Sequence, residues 1–280
     1  MKFRGKMADA AAVRQLTNLA STMAKMKAGA VTLRLSKDVS TFSLCEDGGS
    51  RVVCWCTLEQ KRIFTELTLE GATVEQNQIC LLLSPASMAS ALTSAKNALG
   101  AAKSVKIKLT NKKCPCLTFE IDLPSVGLIP RTCVHDVPVI LIPRLEWPLH
   151  EPPQVSDPNV SLSVAAVKKV RTVIDRLRKL SSKLHIQVTS IGGLCLRTET
   201  DSGTFATYFQ NLPVVYSDDD NDGTLSVSLW IDAKKLAQLL ASDQLNPDHL
   251  VFGVVNEKLL HVILTQDDLN LHYIIPAISL

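Results

Sequence analysis

The sequence lacks the features of membrane-spanning and secreted proteins. No apolar run in its 280 residues approaches the roughly 18–20 residues that a bilayer-spanning helix needs. Met1–Ala12 carries no apolar signal-peptide core. We therefore expect no membrane association and an intracellular protein, nuclear or also cytoplasmic.

Disulfides and zinc sites are not expected either. The eight cysteines belong to a chain that we place in a reducing compartment, where disulfides are rare. Cys54/Cys56 and Cys114/Cys116 are each separated by one residue, a spacing that puts both thiols on one face of a strand. Zinc sites usually need two C-x₂₋₄-C pairs, or a cysteine pair with a histidine pair, and neither pattern is present. We predict buried free thiols and no metal.

Motifs for bond-making chemistry are missing as well. The chain contains no GxGxxG, GxxxxGK[ST], HExxH or GxSxG signature, and its six histidines are isolated. Asp218–Gly223 begins like a calcium loop, but Leu229 occupies the position where an EF-hand needs a bidentate glutamate. We predict an exposed acidic loop there, no cofactor and no enzymatic activity.

What the sequence does contain is a repeated order of elements. A strand, a helix and three strands follow one another four times, which predicts an α+β fold of four β-α-β-β-β modules. Pro143–Pro158 interrupts the series with five prolines in 16 residues, which excludes a regular element and predicts an extended linker. We expect an N-terminal domain at 1–142, a connecting loop at 143–158 and a C-terminal domain at 159–280. The four helices are predicted at Asp9–Lys27, Ser84–Leu99, Ala166–Lys183 and Asp232–Ala241.

The third of these helices is the most informative segment. At about 100° per residue its side chains divide into two opposite arcs. The apolar arc contains Val167, Val170, Val173, Ile174, Leu177 and Leu180. The basic arc contains Lys168, Lys169, Arg171, Arg176, Arg178, Lys179 and Lys183. With Asp175 as its one acid the helix is +6, while the whole chain is only +3. Solvated helix faces usually mix acids and bases at i,i+4 spacing, and we expect no such pairs here.

A cationic face of this kind predicts a polyanionic partner. The helix carries no aromatic residues for stacking on single strands and no Asn or Gln to read base edges. We therefore expect contact with a duplex phosphate backbone without sequence specificity. Two other classes stay open at this point: a hydrolase or transferase that binds a phosphorylated ligand, and a sequence-specific transcription factor.

Several short motifs also occur in order along the whole chain. They are Met1–Arg4 (MKFR), Trp55–Gln60 (WCTLEQ), Ile107–Thr118 (IKLTNKKCPCLT), His135–Val139 (HDVPV), Ile142–Arg144 (IPR) with Trp147, Asn246-Pro247, and Leu271–Ala277 (LHYIIPA). In this order and over this length, the sequence resembles the DNA sliding clamps, which are PCNA-like. Within them it resembles the Hus-one subunits of the nine-one-one checkpoint clamp.

The resemblance implies a two-domain PCNA-like clamp fold, with helices lining the hole of a ring and sheets outside. It implies a heterotrimer with Rad-nine-like and Rad-one-like subunits that encircles duplex DNA at damage sites. Such a clamp supports checkpoint signalling and recruits DNA repair enzymes, so a clamp loader and repair and checkpoint proteins are further implied partners. The close alternative is a homotrimeric replication processivity clamp. The implied compartment is the nucleus.

The resemblance also implies functional positions. Carried over by position, the DNA-facing cations are Lys25, Lys96, Lys168, Arg171, Arg178, Lys179 and Lys235. The connecting loop and the C-terminal tail would border a partner-peptide groove. Its residues are Leu145, Trp147, Tyr273, Ile275 and Pro276. For Trp147 a groove contact and plain packing are equal alternatives. Ring-closing edge strands are expected near Val105–Leu109 and His249–Val254.

Overall fold

The computed structural model describes residues 1–26, 29–45, 52–71, 73, 77–97, 104–126, 129–217, 225–241, 247–267 and 269–279. They belong to two compact units, Met1–Pro152 and Pro153–Leu280, and the division falls inside the predicted connecting loop. The predicted acidic loop at Asp218–Gly223 lies outside the described residues, and so does the side chain of Lys96. Within the described ranges, no helix is long and apolar enough to cross a membrane.

The first unit combines antiparallel strands with two main helices. Its strands are β1 (Lys2–Met7), β2 (Val31–Leu35), β3 (Val39–Cys45), β4 (Val52–Glu59), β5 (Glu66–Glu70), β6 (Ile79–Leu83), β7 (Ser104–Asn111), β8 (Pro115–Val126) and β9 (Ile129–Leu141). Its helices are α1 (Ala10–Lys25), α2 (Gln60–Ile63) and α3 (Pro85–Asn97), followed by a 3-10 helix at Arg144–His150.

The strands of the first unit follow the order β5-β1-β7-β8-β9-β6-β2-β3-β4. The long strand β9 changes partner along its length, because Arg131–Pro138 pairs with β8 and Val139–Leu141 pairs with β6. Helix α1 begins where the Asp9 carboxylate accepts a hydrogen bond from the Ala11 amide at 2.9 Å, as expected for an N-cap. Helices α1 and α3 pack against each other, and α3 also packs against β8 and β9.

The second unit repeats this plan with two smaller sheets. Its strands are β10 (Val160–Val164), β11 (Lys183–Thr189), β12 (Gly193–Thr200), β13 (Gly203–Phe209), β14 (Val214–Ser217), β15 (Ser226–Asp232), β16 (His249–Val255), β17 (Leu259–Gln266) and β18 (Leu269–Pro276). Its helices are α4 (Val167–Leu180) and α5 (Ala233–Leu240). The sheet orders are β14-β10-β16-β17-β18 and β13-β12-β11-β15. Helix α4 packs against α5, β11 and β12, and α5 also contacts β18.

The predicted α+β fold of four β-α-β-β-β modules is confirmed, with three additions. The second and fourth modules each begin with an extra strand: β5, which matches a strand predicted at Phe64–Leu69, and β14, which the sequence pattern does not predict. The short helix α2 is not predicted either. The basic helix is shorter than predicted. It ends at Leu180 because Ser181 is extended, and Lys183 is already paired with Asp232 in the sheet. Serine is a weak helix former, which explains the stop at Ser181-Ser182.

Two further expectations are wrong. Pro143–Pro158 does contain a regular element, the 3-10 helix Arg144–His150; proline tolerates short turns of this kind because its φ is already suitable. The prediction of buried thiols fails at Cys114, which is exposed. It lies in the turn between β7 and β8 rather than in a strand, so strand alternation does not apply to it.

Candidate DNA-facing helix and docking surfaces

Helix α4 presents a narrow apolar seam to the unit and a broad basic surface to solvent. Its buried residues are Val167, Val170, Ile174 and Leu177. Their 3-4-3 spacing is narrower than the usual apolar face of a surface helix. Val173 is therefore only half-buried, and Leu180, predicted on the apolar arc, is 47% exposed. Within Val167–Leu180 six cations and one acid leave the helix at +5, so the rest of the chain is net −2.

The predicted absence of helical ion pairs is wrong. The Asp175 carboxylate accepts a hydrogen bond from Arg178 Nε at 2.9 Å and lies 3.9 Å from Arg171 Nε. These i,i+3 and i,i+4 contacts partly neutralise one flank of the helix. The two arginines both belong to the set predicted to face DNA, yet Arg171 is half-buried beside Asp175.

Besides Arg178, which is exposed but bonded to Asp175, α4 carries four exposed cations on its outward face: Lys168, Lys169, Arg176 and Lys179. The predicted DNA-binding set contains only Lys168 and Lys179 from this group, and it omits Lys169 and Arg176. Both omitted residues are visible on the predicted basic arc. We define these four residues as the basic face of α4.

The start of α4 breaks a local rule of helix stability. Its first turn contains Lys168 and Lys169 but no acid, and Ala166 makes no side-chain cap hydrogen bond. Cations near a helix N-terminus oppose the macrodipole at a cost of about 0.3–1 kcal/mol each. Sites where a sequence departs from such rules are often functional. Burial of the apolar seam supplies the stability that the first turn lacks.

The other predicted DNA contacts are more scattered. Lys25 is exposed in the last turn of α1, and Lys235 is half-buried in α5 beside the exposed Lys234. Lys96 belongs to α3, whose exposed residues Ala86, Ser87 and Ser90 are neutral. The strongest positive charge therefore lies on α4, and each of the remaining helices carries one or two cations.

Among the described residues, β13 and part of β9 expose regular strand edges, as does the five-residue strand β5, which pairs with β1 alone. β13 ends its sheet, and it exposes Phe205 and Tyr208. Along Arg131–Pro138, β9 has a strand partner on the β8 side only. The prediction of edge strands near Val105–Leu109 and His249–Val254 is wrong, because both segments are interior strands. β7 lies between β1 and β8, and β16 lies between β10 and β17.

The remaining sheet ends of the second unit are less suited to strand pairing. β15 is covered by backbone hydrogen bonds from Glu257 to Ser228 and from Ile278 to Trp230, at 3.1 and 2.9 Å. β14 has only four residues, and its pairing with β10 shifts register at Ser161/Leu162. Short or bulged edges resist pairing with another chain.

Trp147 is a packing residue of the first unit. It is 7% exposed, contacts a small cluster with Cys80 and Ile142, and donates its indole N–H to the Ile142 carbonyl at 2.9 Å. Arg34 lies over the indole ring, 5.9 Å from its centre. Of the two alternatives for Trp147, the structure therefore supports packing.

The first half of the connecting loop is attached to the first unit. Thr32 Oγ1 lies 2.9 Å from His150 Nδ1, and Ser43 Oγ donates to the His150 carbonyl at 2.9 Å. Arg34 donates to the Glu151 carboxylate at 2.7 Å. These contacts hold the 3-10 helix so that Leu145, 95% exposed, and Leu149 face solvent.

The predicted groove residues of β18 differ in exposure. Tyr273 and Ile275 are buried, while Pro276 is exposed. Of the five residues predicted for the peptide groove, Leu145 and Pro276 are thus exposed. The described residues contain no cluster of three or more His, Cys, Asp or Glu side chains that could hold a metal ion.

Comparison with known proteins places these features in one family. The family described as Hus1-like protein matches residues 1–279. Checkpoint protein HUS1 of Homo sapiens is 37% identical over 287 residues and is matched over 100% of both chains. Checkpoint protein Hus1-like of Drosophila melanogaster is 28% identical over 285 residues, with 100% of both chains covered.

Solved structures agree on the fold. Proliferating Cellular Nuclear Antigen from Entamoeba histolytica matches with a TM-score of 0.72 at 11% identity, covering 99% of both chains. PCNA from Thermococcus kodakaraensis matches with a TM-score of 0.66 at 13% identity, covering 98% of this chain and 99% of that one. At these identities the likeness establishes the fold alone, and it is the two-domain clamp fold that the sequence predicts.

The family settles the class of function. Its members are clamp subunits without enzymatic activity, which excludes the hydrolase alternative, and the checkpoint relatives favour a checkpoint clamp over a homotrimeric replication clamp. Family membership implies other clamp subunits and DNA as partners and a nuclear, DNA-associated role. The matches over the whole chain confirm the resemblance found in the sequence: the chain belongs to the Hus1-like family and is a subunit of a PCNA-like checkpoint clamp.

Proposed function

We propose that this chain forms a heterotrimeric ring with Rad-nine-like and Rad-one-like subunits and that the ring encircles duplex DNA at damage sites. A clamp loader opens and closes the ring on DNA. Once loaded, the ring supports checkpoint signalling and recruits repair enzymes by docking them on its surface. The basic face of α4 is the observation that supports DNA contact by this subunit.

The charge distribution on α4 suits a phosphate backbone. Lys168, Lys169, Arg176 and Lys179 are exposed on one side of the helix, and the one acid of α4 lies on its flank between two arginines. Contacts of this type supply affinity without reading sequence, and each releases condensed counterions from the duplex. They suit a ring that must move along DNA of any sequence.

Partner subunits fit the regular edges of β9 and β13. A strand edge offers unpaired amide and carbonyl groups that an extended strand from another chain can complete. β13 runs for seven residues and exposes Phe205 and Tyr208. On β9, Val134 is exposed within Arg131–Pro138, the stretch that pairs with β8 alone. One edge on each unit allows a subunit to join two different neighbours.

Peptides from repair and checkpoint proteins fit the surface around the 3-10 helix. Leu145 and Leu149 stand four residues apart and are both exposed. Apolar side chains exposed on an ordered segment mark a docking surface. On this surface of the first unit we include Leu145 in the proposed groove and exclude the side chain of Trp147, which is buried.

The proposal is tested by co-expressing the chain with Rad-nine-like and Rad-one-like subunits and measuring the mass of the product. We expect a complex with one copy of each subunit. Loaded by a clamp loader onto nicked circular DNA, the complex should be retained at high salt and should dissociate when the DNA is made linear, because encirclement is topological.

Two outcomes contradict the proposal. A stable homotrimer of this chain that ignores both partners would favour a replication-type clamp. A complex that leaves circular and linear DNA equally fast at high salt would mean that binding is electrostatic only, without a closed ring.

A further inference from the structure

The turn between β7 and β8 brings two thiols into contact. Cys114 Sγ and Cys116 Sγ are 3.7 Å apart, and Cys116 Sγ lies 3.3 Å from the Cys114 carbonyl oxygen. Pro115, the first residue of β8, separates them. We propose that Cys114 and Cys116 form a reversible dithiol–disulfide site that is oxidised by hydrogen peroxide.

The two cysteines differ in access, and this assigns their roles. Cys114 is exposed in the turn, whereas Cys116 is 5% exposed. Peroxide therefore reaches Cys114 first, and the nearby Cys116 acts as the resolving thiol. Burial, together with the adjacent Cys114, raises the pKa of Cys116, which further disfavours Cys116 as the first nucleophile.

The reaction balances as two successive displacements. The Cys114 thiolate attacks one oxygen of hydrogen peroxide, the O–O bond breaks, and Cys114 sulfenic acid forms while the departing hydroxide becomes water. The Cys116 thiol then attacks the Cys114 sulfur and gives up its proton. The S–S bond forms, the S–O bond breaks, and a second water leaves. The two sulfurs lose two electrons, and the peroxide gains them.

The fold allows the sulfurs to approach without disturbing the sheet. A disulfide needs a separation of about 2.05 Å, so the thiols must move closer than 3.7 Å. Cys114 lies in the turn, where its carbonyl accepts one backbone hydrogen bond from Lys112 at 3.3 Å. The ladder from Pro115 onward can therefore stay in register while the turn adjusts. Exposed disulfides in small rings are readily reduced by thiols, which makes the site reversible.

A second pair with the same spacing provides a control inside the same chain. Cys54 and Cys56 lie on β4, and neither has measurable exposure. Burial raises the pKa of Cys56 to about 12 and raises the pKa of Cys54 well above its usual range. Identical spacing thus occurs once in an inert setting and once in a reactive one.

The test uses the full chain, equimolar hydrogen peroxide and peptide mapping by mass spectrometry. We expect the peptide that contains Cys114 and Cys116 to lose the mass of two hydrogens and to recover it in dithiothreitol. Cys54 and Cys56 should remain reduced until the chain is unfolded. Cys116→Ser should stop at a Cys114 sulfenic acid that dimedone traps, and Cys114→Ser should leave Cys116 unreacted.

The proposal is overturned if the native peptide gains only oxygen, or if the disulfide still forms in either serine variant through another cysteine. Earlier oxidation of Cys54 or Cys56 in the folded chain would also overturn it. Circular dichroism of both variants shows whether the fold is kept, which we expect because Cys114 is exposed and serine is close in size to cysteine.

Discussion

Asp175 lies between Arg171 and Arg178 on one flank of α4, 3.9 Å from the first guanidinium and 2.9 Å from the second. One acid therefore holds two cations that would otherwise extend the positive surface. The consequence is a division of the helix into a partly neutralised flank and an outward basic face formed by Lys168, Lys169, Arg176 and Lys179.

Removing the acid should strengthen DNA binding. In Asp175→Asn both arginines lose their intrahelical carboxylate and can turn toward phosphates. We expect a tighter duplex complex with a steeper dependence on salt, while the free energy of unfolding changes by no more than about 1 kcal/mol, as is usual for exposed ion pairs. Fluorescence anisotropy across a salt series measures both the affinity and its salt dependence, and unchanged affinity would place the DNA away from this flank.

Charge reversal on the basic face should weaken binding uniformly across sequences. Lys169→Glu with Arg176→Glu removes two outward cations, and the slope of log K against log salt should flatten by about 0.9 for each phosphate that the helix no longer neutralises. The triple variant Lys168→Glu, Arg171→Glu, Arg178→Glu tests the set implied by the resemblance to sliding clamps.

The matched control for these reversals is Lys61→Glu, an exposed lysine on the short helix α2. It changes the net charge of the chain in the same direction without touching α4. If the control lowers affinity as much as a single reversal on α4, overall charge rather than the basic face governs binding.

The order of elements could be predicted because its signals are local. Strand alternation and helical periodicity each extend over a few residues, and α1, α3, α4 and α5 occur where those periods change. The neighbours of a strand in a sheet are non-local. Nothing in Val105–Leu109 distinguishes an edge from the interior position that β7 occupies between β1 and β8.

For the candidate DNA-facing site, the basic helix could be predicted, but the residues that face outward from it could not. The excess of lysine and arginine on α4 is a property of composition, so the basic helix was evident. Which cations face outward depends on how α4 packs on α5, and the narrow seam of Val167, Val170, Ile174 and Leu177 turns Leu180 to solvent. The proline-rich connector is also held by contacts of His150 and Glu151 with Thr32, Ser43 and Arg34, which precede them by more than 100 residues. No local pattern encodes such contacts.

A lysine on the β13 edge should block assembly without unfolding the subunit. Phe205→Lys places a charge on an exposed strand residue, a device by which natural proteins prevent edge pairing. We expect loss of the three-subunit complex in size-exclusion chromatography and an unchanged melting temperature. Val215→Lys, at an exposed apolar position on the short strand β14, is the control and should assemble normally.

The seam of α4 should account for much of the stability of the second unit. Ile174 is 1% exposed, and Ile174→Ala removes buried methyl groups and leaves a cavity, at an expected cost of about 2–5 kcal/mol. Thr172→Ala on the exposed side of the same helix should change stability by about 0.5 kcal/mol or less. Urea titrations of both variants provide the comparison, and equal effects would contradict the packing of α4 on this seam.

Stability should fall in mild acid because of a histidine pair on β17 and β18. His261 Nε2 and His272 Nδ1 are 3.1 Å apart. Burial lowers the pKa of both, and it lowers that of His261 to about 4, with the neighbouring His272 adding to the effect. Above pH 6.5 the histidines are neutral in both the folded and the unfolded chain. Between about pH 6.5 and pH 4 the unfolded chain binds protons that the folded chain does not bind. The free energy of unfolding therefore decreases as the pH falls.

We therefore expect the melting temperature to drop between pH 7 and pH 4.5 and the drop to shrink in His261→Gln. The exposed His249 provides the control, since His249→Gln leaves the pair intact. Carboxylates with lowered pKa values, Asp122 and Asp136, act at lower pH, because their stabilisation disappears only as they protonate. A drop between pH 7 and pH 4.5 that is equal in the His261 variant and the parent would assign the acid sensitivity to groups outside the pair, such as His185, whose pKa burial also lowers.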